Sequence, residues 1–279
     1  MLGFDWHSSG VTTPCAAPSR SLSAKETPAQ IAGVCDGLGR DPDALVYASG
    51  GFGCNRCDGC NGCDGCNGCR WFFKTGPGEY GAGDRFLGVT LPQLRTLARK
   101  YADLPLTQTV RLLPSPWHEE RLLALFILVG QYARADAPAR QAIHRAYLRN
   151  TTSINNWDLV DSSAAQIVGA HLQERDRRLL RRLARSKSVR ERRIAIIATY
   201  HYIWQGDFTD ALAIAALLRR DEHDLIHKAV GWMLREIGKR HRAAEERFLR
   251  AHARTMPRTM LRYAIEKFAQ PLRRKYMTR

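Results

Sequence analysis

Residues 224–240 read DLIHKAVGWMLREIGKR, and apolar side chains return there every third or fourth position, through Leu225, Ala229, Met233 and Ile237. That spacing gathers them on one face of an α-helix. Moving outward, the same period runs through HEERLLALFILVGQYA from His118, NWDLVDSSAAQIVGAHL from Asn156, VRERRIAIIATYHYIW from Val189 and PRTMLRYAIEKF from Pro257. Strand alternation is absent from Leu91 onward. Helix boundaries carry their usual marks: Pro92, Pro138 and Pro257 open helices, Asp207 and Asp224 suit N-caps, and Gly206 ends one.

The more apolar helices start near residues 118, 156, 190, 225 and 258, with less apolar helices between them. A spacing of roughly 33 to 38 residues is the period of two-helix repeats of the HEAT or armadillo type. The expected fold is therefore an all-α solenoid of stacked antiparallel helix pairs over residues 71–279. A helix bundle shows the same periodicity and is the alternative.

Residues 1–70 differ in kind. They are rich in Gly, Ser, Ala, Pro and Asp without sustained periodicity, and read as a disordered, low-complexity segment. Within them lie Cys54, Cys57, Cys60, Cys63, Cys66 and Cys69, one cysteine at every third position. Overlapping C-x-x-C units suit a soft metal, but a structural zinc site needs a second ligand pair, and the chain has none downstream. A disulfide ladder conflicts with a reducing compartment, and a low-complexity tract without a bound metal is the third reading.

Charge is distributed as unevenly. The chain carries +16, yet residues 1–70 hold five basic and seven acidic side chains, leaving a net of about +18 on the remainder. Such an excess attracts polyanions, nucleic acid first and an anionic membrane surface second. No apolar run is long enough to span a bilayer and the start lacks a signal peptide, so a cytoplasmic protein without a membrane partner is expected. Lys187, Arg190, Arg192, Lys228, Arg258 and Arg262 sit at the starts of the more apolar helices, where clustered cations and helix N-termini favour phosphate.

SINNWDLVDSSA, residues 153–164, adds a tryptophan and an aspartate one helical turn apart, Trp157 and Asp161. Asn155 as N-cap and Asp158 in the first turn are explained by helix-end chemistry. Asp161 stands too deep for a cap, and a desolvated carboxylate needs either an arginine partner or a chemical purpose.

FFKTGPGEYGAGDRFLGV, INNWDLVDSSA, SVRERRIAI, DLIHKAVGWMLRE and MPRTMLRYAIEKF, in this order, resemble the AlkD-type DNA alkylation repair family of HEAT-like DNA glycosylases. The likeness spans about Trp71 to Arg279. It implies an active cleft of Trp157, Asp161, Arg193 and Trp232, and excision of cationic N3- and N7-alkylated purines from double-stranded DNA by a monomer without base flipping, metal or cofactor. In that reading Asp161 stabilises an oxocarbenium-like sugar and orients water, the two indoles hold the cationic lesion, and Arg193 clamps a phosphate. A non-catalytic HEAT-like module gripping DNA or a protein is the alternative. The glycine-rich KTGPGEYGAG lacks the ending of a phosphate loop and reads as a connector into the first repeat.

Overall fold

The computed structural model describes residues 73–278, which fold as an all-α stack. The cysteine tract and the other expectations for residues 1–70 lie outside the described residues. Among those described, no helix is long and apolar enough to cross a membrane.

The chain enters through a loop, residues 73–90, and a first pair of helices, α1 (Leu91–Lys100) and α2 (Leu106–Arg111). Thr90 and Gln93 form a capping box at the start of α1, with Pro92 in its first turn. Next come α3 (His118–Arg134), α4 (Ala137–Arg149), α5 (Trp157–Asp161), a π-helical turn (Ala165–Gly169) and α6 (Arg178–Ala184). The chain continues through α7 (Val189–Ala198), α8 (Tyr200–Trp204), α9 (Thr209–Leu218), α10 (Asp224–Arg240), α11 (Arg242–His252), α12 (Arg258–Ala264) and α13 (Gln270–Met277).

Two layers result. In the site layer α3 packs on α5 and the π turn, α5 on α7, α7 on α10 and α10 on α12; α4, α6, α9 and α11 cover their backs. Fully buried Leu123, Leu125, Ile127 and Leu128 of α3, and Ile194, Ile196 and Ile197 of α7, form the seam between the layers. Each such side chain contributes about 1.5–3 kcal/mol by leaving water.

Two glycines set how closely the site-layer helices approach. A Cβ at Gly231 of α10 would stand 2.5 Å from the Met260 carbonyl oxygen and 2.5 Å from Tyr263 Cβ. One at Gly169 would stand 2.3 Å from the Ala198 carbonyl oxygen. Neither distance is physical, so only glycine lets these helices touch backbone to side chain.

Some boundaries differ from the sequence expectation. The helix expected over NWDLVDSSAAQIVGAHL is interrupted after Asp161, where Ser163 Oγ donates to the Leu159 carbonyl and receives the Tyr147 hydroxyl proton at 3.0 Å. A serine bonded back to its own turn competes with the helical ladder, and the next residues take π registration. Asn156, not Asn155, caps α5 by accepting from the Trp157 amide. Likewise His223 caps α10, accepting from the Leu225 amide, so Asp224 moves to the first turn.

Candidate functional site

The site grows from the N-terminal edge of the site layer. Trp157 opens α5, and Asp161, its last residue, lies one turn on along the same face. From α7, Arg193 reaches across: Nε donates to Asp161 Oδ1 at 2.9 Å, one terminal nitrogen to Oδ2 at 2.7 Å, and the other to the Leu225 carbonyl in the first turn of α10. One guanidinium thus ties three consecutive site-layer helices together. The Arg193 side chain is 6% exposed, while the Asp161 side chain keeps 15%. Burial pushes the Asp161 carboxyl above its ordinary range; Arg193 pulls against that and the nearby Asp158 carboxylate adds to it.

Trp232 lies seven residues beyond Leu225, two turns along the same face of α10. Its indole N–H donates to Glu236 at 3.2 Å, and its ring lies 5.6 Å from that of Tyr200. Two indoles therefore occupy the site layer on either side of the Arg193 link, one on α5 and one on α10.

Trp157 is held from below by a network that the sequence did not reveal. His118, at the start of α3, donates from Nε2 to Asp158 at 2.7 Å, and its other ring nitrogen lies 3.7 Å from Asp84 of the entry loop. Asp84 also meets Arg121 at 2.8 Å and receives the Asn155 and Asn156 amides at 2.7 and 3.2 Å. Burial opposes charging of His118, but the Asp158 and Asp84 carboxylates outweigh it and raise its pKa to about 9. The glycine-rich stretch is thus a strap that returns to the site. Its Tyr80 hydroxyl accepts from the Trp157 indole beside Asp158 and Arg193, and burial raises the tyrosine to about 12. Phe73 stacks on Phe86 at 5.0 Å and faces Trp157 at 5.9 Å.

Of the residues expected to meet DNA, Lys187 is exposed, Arg190 is half-buried and Arg262 is exposed. Lys228 is half-buried and pairs with Asp224 at 2.6 Å one turn back, and exposed Arg258 donates to the Met277 carbonyl. Arg192 lies against Asp221, which takes Nε at 2.6 Å, while the Ser186 and Lys187 carbonyls take a terminal nitrogen. Arg193 likewise spends three of its five N–H donors on internal acceptors, one from each nitrogen.

Chemically, the arrangement offers a carboxylate oriented by a bidentate guanidinium and still partly open, with one indole on its own helix and another two helices along the layer. Among the described residues no group of three or more His, Cys, Asp or Glu side chains is placed to hold a metal.

The profile of a family described as DNA alkylation repair enzyme matches residues 66–268. No curated protein matches the chain. A solved structure described as a predicted DNA alkylation repair enzyme from Enterococcus faecalis superposes with a TM-score of 0.57 at 16% identity, covering 72% of this chain and 93% of that one. At that identity the likeness speaks for the fold.

Proposed function

Because this chain belongs to the DNA alkylation repair enzyme family, we propose that it is a monofunctional DNA glycosylase releasing cationic N3- and N7-alkylated purines from duplex DNA. The observation that carries the reading is the Asp161 carboxylate, fixed by Arg193 and still 15% open.

Alkylation at N3 or N7 gives the purine a positive charge, so it leaves as a neutral base and the glycosidic electron pair departs with it. The sugar is left with oxocarbenium character, and a carboxylate beside it is worth most in a site of low dielectric. Water then adds to the anomeric carbon, its proton passing to solvent or to Asp161, and an abasic site remains. No acid is needed to protonate the leaving group, which fits a site built round one carboxylate.

Arg193 acts in this scheme by keeping Asp161 ionised and aimed. Trp157 and Trp232 hold the sugar and the cationic base through their ring faces. Lys187, Arg190, Lys228, Arg258 and Arg262 attract the phosphates along the site layer. The protein works as a cytoplasmic monomer, with no metal or cofactor in any step and without turning the base out of the helix.

The test is incubation of the full chain with methylated duplex and chromatography of what is freed. Release of 7-methylguanine or 3-methyladenine, with an equal amount of abasic sites, supports the reading. Tight duplex binding with no freed base replaces it by a non-catalytic DNA-binding module.

A further inference from the structure

The outer layer carries a second concentration of positive charge, separate from the site just described. The exposed cations are Arg140, Arg145 and Arg149 on α4, Arg178, Arg181 and Arg182 on α6 and Arg185 at its C-cap, and neither helix contains a single acid. Arg145, Arg149, Arg182 and Arg185 have no ion pair and no side-chain hydrogen bond among the described residues. Arg178 pairs with Asp176, and Arg181 comes within 4.0 Å of Asp210.

The two helices are neighbours. Leu148 and Thr151 at the end of α4, and Leu179, Arg182, Leu183 and Ser186 of α6 and its exit, line one open groove of about 320 Å³. Glu191 of α7 also lines it and is the single acid among those residues; it receives the Thr151 hydroxyl at 3.3 Å. Arg145 and Arg149 lie one turn apart on α4, as do Arg178 and Arg182, and Arg181 and Arg185, along α6 and its C-cap, so three pairs of guanidinium groups stand on these helices and Arg182 lines the groove itself.

An interior explanation fails for Arg145, Arg149, Arg182 and Arg185, which are exposed and meet no carboxylate among the described residues. Nor is this a general solvated surface, which mixes both signs. Arginine, never lysine, supplies every cation on both helices, and its planar fork suits phosphate oxygens taken two at a time. The file is also continuous with the candidate DNA edge: after Arg185 the chain passes Lys187 and Arg190 into α7, which delivers Arg193 to Asp161. α4 and α6 belong to the outer layer, packed on the π turn and on α7 from behind.

We propose that the α4–α6 face is a second binding surface for the backbone of double-stranded DNA, so that one chain holds two duplex segments at once, one on each layer. This goes beyond base release and does not depend on it. Such a surface retains the protein near DNA while the site layer lets go of an undamaged stretch.

The experiment uses the full chain at low salt with two duplexes of unrelated sequence, one on beads and one fluorescent, and sedimentation to count chains per complex. The wild-type chain is expected to carry the fluorescent duplex onto the beads as a complex of two duplexes per monomer. A variant with Arg145→Glu, Arg149→Glu, Arg182→Glu and Arg185→Glu is expected to lose that capture at least tenfold while binding a single duplex within about twofold. A matching set of Gln substitutions, which removes charge without adding any, is expected to fall between the two, with the same far-ultraviolet circular dichroism. Capture that survives in the Glu variant, capture that requires two chains, or one duplex per chain in the wild type overturns the proposal. So does arginine-dependent binding to anionic phospholipid vesicles with no second duplex taken up. Since base release is never read, failure of the glycosylase assignment leaves this result unaffected.

Discussion

Replacing Arg193 by methionine removes three donors at once, two on Asp161 and one on the Leu225 carbonyl, from a position 6% exposed. Breaking one side of a buried ion pair costs about 3–5 kcal/mol when the stranded charge stays ionised. Asp161 escapes that cost by taking up a proton. Since about 1.4 kcal/mol equals one pH unit, a penalty near 3 kcal/mol moves the carboxyl up by roughly two pH units from a value that burial has already raised. In single-turnover assays the acid limb of base release therefore shifts about two pH units upward in Arg193→Met, and raising the pH restores part of the rate. Duplex affinity changes less than about threefold, because no phosphate contact is lost. A variant with an unmoved acid limb, weaker binding and a salt slope reduced by about one would show that Arg193 grips a phosphate, and the reasoning from its internal bonds would be wrong.

His118, with its pKa raised to about 9, favours the folded state below its ordinary value of 6.5, and that contribution fades as pH rises from 6.5 through 9. The unfolding free energy of the wild type from urea titrations should fall across that window by an amount on the order of 3 kcal/mol, and His118→Gln should flatten the curve. His144 is the opposite case, its pKa lowered to about 4 by burial and by His171, Arg175 and Arg145. Its share of stability is present above 6.5 and lost as pH falls toward 4, so His144→Phe should reduce acid sensitivity over that range. Gly231→Ala should destabilise by about 2 kcal/mol, since a Cβ 2.5 Å from the Met260 carbonyl must push helices apart. In α3, Gly130→Ala should stabilise by about 0.5–1 kcal/mol, since its Cβ would meet only Arg134 at 3.8 Å; equal signs for the two in thermal melts would refute the packing account.

The site-layer helices were legible because their apolar faces are long and regular: α3, α10 and α12 begin within a residue of where the period in HEERLLAL, DLIHKAVGW and PRTMLRY places them. What escaped was whatever depends on a distant partner. The π turn after Asp161 needs Tyr147 on another helix to hold Ser163. The support under Trp157 joins Asp84, His118 and Asp158, which no local pattern connects. Tyr80 read as part of a loop because nothing in KTGPGEYGAG says which way the strap folds. Asp161 and Arg193 were found as residues, yet their bond to each other was not, since pairing across 32 positions is set by how α5 and α7 pack. The cations at the helix starts divided for the same reason: Arg192 met Asp221, while the Lys187 and Arg190 side chains have no ion pair among the described residues.

The central claim is that an ionised oxygen pair at residue 161 carries the bond-breaking step. Single-turnover release of 7-methylguanine from a duplex, compared between the wild type and Asp161→Asn at saturating protein, tests it most directly. Loss of one preorganised charge from such a site corresponds to about 2.7–4 kcal/mol of barrier, so a rate lower by about a hundredfold or more with duplex binding retained is the predicted result. An equal rate in the two proteins contradicts the account.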